Sequence, residues 1–328
     1  RFYGWLWGIE NEVRANLPMV YYHVWDNFPA PQFNANFYNS NDVVACISKV
    51  THEIVKAVAP EVESHYVPHA VNEVYFHPAK TDEEKQTTES LRTRITQGNT
   101  KKKIFFWNNR NARRKQSGTL MWWFKEWLDK VGHDKAMLLM HTDPRDPHGQ
   151  DLPHLINHLG LNSGQVLLST NKVPSEQLAN MYRAADYTIN ISDAEGFGLA
   201  TLESLSCGTP IIVNMTGGLQ EQVTDGKNFF GFAIEPVSKT VIGSLQVPYI
   251  YEDRISQRDF EKAMTKALRN PTKKYKQMSS QGRRHVLKSY NFETFEKSWV
   301  ELMDKVIKEH GSWETRTGYQ RWHLMEVA

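Results

Sequence analysis

Two glutamates frame a glycine-containing turn in the segment 192–210, which reads SDAEGFGLATLESLSCGTP. Glu195 stands before Gly196 and Gly198, and Glu203 follows them. Glycines let a backbone approach a ligand closely, and the free N–H groups at the start of a helix bind anions. Two carboxylates beside an anion site suit a ligand that carries hydroxyl-rich rings at both ends of its phosphates. The segment therefore predicts a site for a nucleotide sugar.

The elements expected around this turn are a strand that ends near Ser192 and a helix that begins near Leu199. Leu199, Leu202 and Leu205 recur at about one helical turn, which is typical of a helix. The backbone of the turn and of the first helical residue is then placed to meet the ligand. The predicted ligand contacts in this stretch are Gly196, Phe197, Gly198 and Leu199.

The stretch EGFGLATLE, followed by SCGTPIIVNMTGGLQEQVTDG, resembles the C-terminal donor domain of glycosyltransferase family 4 and its relatives with the GT-B fold. The segments FFWNNRNARRKQ and CISKVTHEIV with VPHAVNEVYFHP are also similar to that family, so the resemblance covers nearly the whole chain. It implies an α/β, GT-B-like fold and a retaining, metal-independent transfer of a sugar from a nucleoside-diphosphate sugar. No cofactor beyond the donor is implied. UDP, GDP and ADP sugars all remain open, as does an acceptor that is a glycan, a lipid, a protein or a small molecule.

The resemblance also assigns roles to four charged residues. It implies that Arg110 and Lys115 neutralise the donor diphosphate, that Glu203 holds the ribose hydroxyls, and that Glu195 contacts hydroxyls of the transferred sugar. Transfer builds negative charge on the departing diphosphate, and without a metal that charge must be stabilised by hydrogen-bond donors. Arginine offers a planar fork and lysine a compact charge. Taken alone, such cations more often belong to a solvated surface cluster, and such acids are more often a cap-region acid and a solvated helix acid.

Two further matches are looser. In YYHVWDNFPAPQ, His23 and Asp26 follow a predicted strand, about where members of the family carry a histidine near the donor sugar. His23 could equally be a structural histidine among aromatic neighbours. Val173 and Pro174 precede a helix that is expected to begin at Ser175, where the base-binding loop of the family falls.

The composition of the 328-residue chain, of which 40% is hydrophobic, is that of a globular protein with two domains. A net charge of +2 excludes the strongly basic surface of a nucleic-acid-binding protein. The only two cysteines, Cys46 and Cys207, are expected to be reduced thiols in a cytoplasmic protein. No apolar run approaches the ~20 residues of a membrane span, although a peripheral membrane contact stays open for a lipid-linked acceptor. The oligomeric state is left open.

The organisation along the chain follows an alternation of short apolar runs with helical patterns, which predicts parallel sheets with crossover helices. Residues 1–78 are expected to form a partial Rossmann-like N-terminal domain, whose first half is missing from an N-terminally incomplete chain. Residues 79–103 form a linker or surface insertion with one short helix. Residues 104–290 form a complete Rossmann-like donor domain. Residues 291–328 form a C-terminal helix and tail that pack back on the first domain.

The donor domain is expected to contain at least five strand–helix repeats. Its helices include Ser117–Val131 and helices that start near Asp151 and Ser175. The predicted strands read KKIFFWNN, AMLLMH, QVLLS, YTINIS and TPIIVN.

Three alternative functions can be weighed against glycosyl transfer. A glycosidase also needs two carboxylates, but a continuous helix would separate Glu195 and Glu203 by ~12 Å at ~1.5 Å per residue, beyond the ~5–9.5 Å that such pairs require. A nicotinamide-dependent dehydrogenase would use Gly196 and Gly198, but Thr201 stands where a third glycine or alanine is expected and the turn comes late in the chain. A non-catalytic protein that binds a nucleotide sugar is harder to exclude.

Overall fold

The structure is a computed structural model that describes residues 4–323. The strands, in chain order, are β1 (Val20–His23), β2 (Val43–Cys46), β3 (Glu63–Tyr66), β4 (Lys103–Asn108), β5 (Ala136–His141), β6 (Val166–Ser169), β7 (Tyr187–Asn190), β8 (Ile211–Asn214), β9 (Gly231–Ile234), β10 (Ser238–Ile242) and β11 (Ile250–Arg254). The helices are α1 (Gly4–Gly8), α2 (Glu10–Arg14), α3 (Ala35–Asn39), α4 (Lys49–Val58), α5 (Asp82–Ile95), α6 (Ser117–Val131), α7 (Leu152–His158), α8 (Ser175–Ala184), α9 (Leu199–Ser206), α10 (Leu219–Val223), α11 (Gln257–Leu268), α12 (Thr272–Ser289) and α13 (Phe292–His310).

The chain divides into two compact units. Within the described residues, unit 1 comprises residues 4–69, 241–251 and 292–323, and unit 2 comprises residues 70–240 and 252–291. No helix of residues 4–323 combines the length and the apolar composition needed to cross a membrane.

Unit 2 is built on a six-stranded sheet in the order β6-β5-β4-β7-β8-β9, and every neighbouring pair is parallel. Helices connect successive strands, so the predicted alternation and the Rossmann-like fold of this region are confirmed. Helix α6 spans the predicted residues, and the side chain of Asp151 caps α7 by accepting a hydrogen bond from the backbone N–H of His154.

The core of unit 2 is rich in aromatic side chains around β4, a strand whose four central residues are all buried, as in parallel strands that are covered on both faces. Phe105 stacks on Tyr187 and meets Phe124 and Trp127 edge to face. Trp127 is almost fully buried, and its indole N–H donates to the hydroxyl of Thr265. These contacts fix α6 against the strand that leads into the loop carrying Arg110 and Lys115.

Residues 70–103 belong to unit 2, including the segment predicted as a linker or surface insertion. Helix α5 starts with a capping box in which Thr81 and Glu84 exchange side-chain to backbone hydrogen bonds. Farther along the helix, Arg92 donates to the carboxylate of Asp186 at 2.9 Å. Before the helix, the backbone carbonyls of Tyr75 and His77 accept hydrogen bonds from Arg183. Hydrogen bonds and an ion pair therefore hold this segment, together with the buried ring of Phe76, which meets Tyr182 edge to face.

Unit 1 contains a three-stranded parallel sheet in the order β1-β2-β3. The hydroxyl of Ser48 caps α4 by accepting from the N–H of Thr51, and the apolar face of the helix lies on Val44 and Cys46 of β2. On the other face of β2, Leu302 and Val306 of α13 pack with other buried apolar residues. Strand β2 is therefore buried on both faces.

Arg316 is a buried anchor of the tail after α13. Arg316 donates to Asp42 at 2.7 Å and to the backbone carbonyl of Arg14 at 2.7 Å, and its side chain is almost fully buried. The guanidinium also lies over the ring of Tyr319. The tail is therefore part of unit 1, up to the last described residue. Residues 324–328 of the predicted tail lie outside the described residues.

Candidate active site

The strand order of unit 2 contains a switch point between β4 and β7. From β4 the chain first adds β5 and β6 on one side and then returns to add β7 on the other. The loops that leave the carboxyl ends of β4 and β7 therefore run in opposite directions, and the crevice between such loops is the usual ligand site of this fold class. The loop after β4 carries Arg110 and Lys115, and the loop after β7 carries Glu195 and the glycine turn.

The glycine turn leads into α9, which begins at Leu199 as the sequence predicts. Gly198 precedes the helix with φ +94°, in the left-handed region that favours glycine. A Cβ atom on Gly198 would lie 2.8 Å from Leu219. Phe197 is buried, whereas Leu199 is partly exposed beside the free helix end.

A second pair of glycines, in the segment GGLQEQV, packs against the backbone of the turn. A Cβ atom on Gly218 would lie 2.7 Å from the Cα atom and from the carbonyl oxygen of Phe197, so only glycine fits there. The N–H of Gly218 donates to the carbonyl of Glu195 at 2.9 Å, and the side chain of Gln222 donates to the carbonyl of Phe197. The segment GGLQEQV thus fixes the backbone of the turn through buried hydrogen bonds.

Lys115 and Glu195 form a buried ion pair, although they are 80 residues apart. Both side chains are about nine-tenths buried. Asn190, the last residue of β7, also donates to Glu195 at 3.2 Å, and Arg114 donates to the carbonyl of Ala194. Burial raises the pKa of Glu195, but the charges of Lys115 and Arg114 and the hydrogen bonds outweigh it, so the pKa lies below its usual value. The carboxylate is therefore ionised at neutral pH.

Arg110 has different partners. Its guanidinium donates to both carboxylate oxygens of Asp146, at 2.6 and 3.1 Å, and contacts Nδ1 of His148 at 2.7 Å. The side chain is largely exposed. None of the contacts described for residues 4–323 joins Arg110 to Lys115 or Glu195. The structure thus brings Lys115 to the glycine turn and holds Arg110 on the loop that follows β5.

Glu203 lies one turn inside α9 and is held by α8. The hydroxyl of Tyr182 donates to Oε2 of Glu203 at 2.6 Å, and Asn108, the last residue of β4, donates to the same hydroxyl at 2.8 Å. Burial raises the pKa of Glu203 to about 7, and the hydrogen bond from Tyr182 limits that rise. The two glutamates of the motif thus differ in environment, since Glu195 has a cationic partner and Glu203 a neutral one.

The two residues predicted near the base occupy the loop between β6 and α8. Val173 is half-buried and Pro174 is exposed directly before α8, which begins at Ser175 as predicted. The loop leaves the carboxyl end of β6, the edge of the sheet that also carries the glycine turn.

The predicted residues of unit 1 lie at and after the end of β1. His23 is the last residue of the strand and is 5% exposed, and its Nε2 lies 2.9 Å from the hydroxyl of Tyr38. Burial lowers the pKa of His23 to about 3, so the ring is neutral. Within residues 4–323 its buried Nδ1 has no hydrogen-bond partner. Asp26 lies in the loop that follows.

The sequence analysis did not single out several residues that hold the site. Three of these residues could have been predicted from their position at the carboxyl end of a strand, because the polar residues at these ends meet at one edge of a parallel sheet. Those three are the asparagines that end β4, β7 and β8, namely Asn108, Asn190 and Asn214. Tyr182 and Gln222 carry no such signal, because their contacts depend on how separate helices pack.

One group of potential metal ligands is present in the described residues 4–323. It consists of Glu63, Glu309 and His310 of unit 1, whose ligand atoms lie within 4.8 Å of one another. Lys305 donates to Glu63 at 2.6 Å and thus already neutralises that carboxylate. All three residues are in unit 1, whereas the glycine turn is in unit 2.

The family model of glycosyl transferases group 1 matches residues 99–285, more than half of the chain. The chain therefore belongs to this family, as the resemblance implied. The matched range contains the switch point, both cations and both glutamates of the site.

Curated relatives match shorter segments. D-inositol 3-phosphate glycosyltransferase of Streptosporangium roseum is 51% identical over 53 residues, which cover 16% of this chain and 12% of the relative. The enzyme of the same name from Mycolicibacterium smegmatis is 40% identical over 75 residues, which cover 23% of this chain and 17% of the relative. The chain thus matches less than a fifth of the length of these two relatives.

Solved structures match most of the chain at low identity. Sucrose-phosphate synthase from Thermosynechococcus elongatus is 20% identical with a TM-score of 0.65, over 84% of this chain and 61% of that one. Anabaena HepE, solved in complex with UDP and glucose, is 15% identical with a TM-score of 0.67, over 88% and 71%. A glycosyltransferase from Rickettsia africae is 19% identical with a TM-score of 0.68, over 88% and 71%. These likenesses confirm the predicted GT-B fold.

Proposed function

We propose that the protein transfers a sugar from a nucleoside-diphosphate sugar to an acceptor, with retention of anomeric configuration and without a metal ion. The observation that carries the proposal is the buried ion pair between Lys115 and Glu195 beside the glycine turn and the free N-terminus of α9. This arrangement lies at the switch point of a parallel sheet, where ligands of such folds bind. Membership of the glycosyl transferases group 1 family supports the reaction class.

The proposed chemistry follows from the charges. When the bond between the anomeric carbon and the diphosphate breaks, negative charge builds on the leaving oxygen, and fixed donors near that oxygen lower the barrier. The lysine ammonium can donate to more than one acceptor, so Lys115 can bind a phosphate oxygen while it holds Glu195. The amides of Gly198 and Leu199 add the partial positive charge of a helix N-terminus. Arg110 reaches the diphosphate only after it leaves Asp146.

The two glutamates bind the two sugar rings of the donor, one on each side of its diphosphate. Glu195 is ionised and accepts hydrogen bonds from hydroxyls of the transferred sugar. Glu203, fixed by Tyr182, accepts from the ribose hydroxyls. His23 and Asp26 are proposed near the donor sugar on the family resemblance, and Val173 and Pro174 near the base.

Two of the three alternatives weighed from the sequence, the glycosidase and the dehydrogenase, lose support. The ~12 Å estimate against a glycosidase assumed a helix from Glu195 onward at ~1.5 Å per residue, whereas α9 begins only at Leu199, so that argument does not apply. Family membership disfavours this function instead. The loop after β4, which reads NNRNARRKQ, has no glycine, whereas a dinucleotide-binding fold carries its glycine motif in the first strand–helix turn. This observation disfavours a dehydrogenase.

A nucleotide panel tests the proposal. UDP, GDP, ADP and their glucose and mannose conjugates are added to the protein, and the midpoint of thermal unfolding is measured. A ligand that binds only the native state raises that midpoint. We expect one base to stand out, and UDP is the first candidate because Anabaena HepE was solved with UDP. A panel without any stabilising nucleotide would disprove the proposed donor class.

Turnover separates an enzyme from a non-catalytic binding protein. The donor that stabilises the protein is incubated with it, and release of the free nucleotide is followed with and without candidate acceptors, including lipid-linked sugars in vesicles. We expect release by the wild type and its loss in Glu195→Gln, with the nucleotide affinity largely retained. Binding of the donor without any release of nucleotide would instead support the alternative, a non-catalytic protein that binds a nucleotide sugar. Release only with vesicles would support a peripheral membrane contact.

A further inference from the structure

The segment Glu252–Arg254, at the end of β11, contacts both the turn that carries Lys115 and the loop that carries Glu195. Glu252 is 1% exposed, and both of its carboxylate oxygens accept hydrogen bonds from Arg113, at 2.7 and 2.8 Å. Arg113 opens the 3-10 turn Arg113–Lys115, which ends at the lysine of the site. A bidentate pair of this kind fixes the orientation of both partners.

The same segment also holds the other half of the site. The guanidinium of Arg254 contacts Asp193 at 2.7 Å and Glu252 at 3.3 Å. Asp193 lies two residues before Glu195 and also accepts from the side chain of Gln116, the residue after Lys115. A backbone hydrogen bond adds to these contacts: the N–H of Asp253 donates to the carbonyl of Asp193 at 2.9 Å.

The segment is itself well anchored. Asn214, at the end of β8, donates to the carbonyl of Asp253 at 3.1 Å, and the hydroxyl of Thr216 donates to its carboxylate at 2.7 Å. It therefore connects the end of β8 to the loops that leave β4 and β7. The described residues of this network lie outside the motif EGFGLATLE and are distinct from Arg110 and Lys115.

We propose that Glu252 is a positioning residue, which sets the distance between Lys115 and Glu195 by holding Arg113 and, through Arg254, Asp193. The inference rests on the proposed function, because the site that it positions is the proposed diphosphate site. Glu252 does not touch the ligand in this proposal. Its effect on nucleotide binding passes through Lys115.

The test compares two buried acids that each contact two cations. Glu252→Gln keeps the shape of the side chain and removes its charge. Asp186→Asn is the matched control in the same unit, since Asp186 pairs with Arg92 and Lys103 away from the site. UDP, GDP and ADP are titrated into each folded variant by calorimetry. We expect Glu252→Gln to weaken nucleotide binding by about 10-fold and Asp186→Asn to leave it within about 2-fold of wild type.

A second background separates positioning from a general loss of stability. In Lys115→Met the added substitution Glu252→Gln should weaken binding by less than about 2-fold, because effects that pass through one residue are not additive. An undiminished 10-fold loss in that background, an equal loss in Asp186→Asn, or wild-type affinity in Glu252→Gln would each overturn the inference. Arg113→Gln, whose side chain is about half exposed, replaces Glu252→Gln if the latter does not fold.

Failure of the proposed function has a different signature. If the wild type binds none of the three nucleotides, the proposed donor site itself is wrong, and the inference falls with it. If the wild type binds one of them and the Glu252 and Arg113 variants bind it equally well, only the positioning role is wrong.

Discussion

Tyr182 donates a hydrogen bond of 2.6 Å to Oε2 of Glu203, so an uncharged hydroxyl holds the acid that the family resemblance assigns to the ribose. The same hydroxyl accepts from Asn108 at 2.8 Å. Burial raises the pKa of Glu203 to about 7, while the short contact with Tyr182 opposes that rise. A carboxyl group in this state changes charge near neutral pH, which links both folding and ligand binding to pH.

The first prediction concerns how the stability of the protein depends on pH through Glu203. Between its ordinary pKa of 4.5 and about 7, the folded protein keeps a proton that the unfolded chain has released, so the free energy of unfolding falls as pH rises through this window. Across the whole window the free energy of unfolding falls by at most about 3–4 kcal/mol, since a pKa that rises from 4.5 to about 7 is worth about 1.36 kcal/mol per unit. We expect Glu203→Gln to remove this slope. Urea unfolding of both proteins at about pH 5 and about pH 8 measures it, and an unchanged slope in the variant would show that Glu203 titrates normally.

The second prediction concerns the buried ion pair. Lys115→Met leaves Glu195 without its main cationic partner, and breaking a buried pair typically costs roughly 3–5 kcal/mol of folding free energy. Adding Glu195→Gln should recover part of that loss, because no unpaired charge then remains buried. Nucleotide binding should stay weak in both variants, since each lacks the ammonium. Denaturant unfolding tests the expected stabilities, and calorimetry tests the expected loss of nucleotide binding. A double variant less stable than Lys115→Met would contradict the expected recovery of stability.

The third prediction concerns the partner of Arg110. In the proposed function Asp146 competes with the diphosphate for the guanidinium of Arg110, so Asp146→Asn should bind the nucleotide about 2- to 5-fold more tightly, because an ion pair open to solvent is weak. Asp134→Asn is the control, because its exposed partner Lys135 lies away from the site. Calorimetry measures both variants. Weaker binding in Asp146→Asn would mean that Asp146 orients Arg110 toward the ligand instead.

The fourth prediction concerns the contact between the two glycine pairs. Gly218→Ala places a methyl group 2.7 Å from backbone atoms of Phe197, which cannot move without shifting the turn. We expect a loss of about 1–3 kcal/mol in stability together with weaker nucleotide binding. Gly8→Ala, where no atom lies within 4 Å of the added Cβ, should leave nucleotide binding unchanged and should not lower the stability, since alanine is the better helix former. Equal thermal midpoints for Gly218→Ala and wild type would show that the turn adapts.

The sequence predicted those features that depend on neighbours along the chain. Periodicity and caps located α6, α7 and the start of α9, because apolar spacing and polar N-terminal residues act within a few positions. The glycine turn could be recognised because a positive φ such as that of Gly198 restricts the residue type locally. The family resemblance then joined the turn to Arg110 and Lys115.

Only the tertiary structure decided which charged groups meet. The partners Lys115 and Glu195 are 80 residues apart, and Arg113 and Glu252 are 139 apart, so their pairing depends on the order of the strands rather than on local pattern. The sequence alone could not choose between a solvated cluster and a site for Arg110 and Lys115. Packing gives the two cations different environments, since Lys115 is buried beside the carboxylate of Glu195, whereas the largely exposed Arg110 pairs with Asp146.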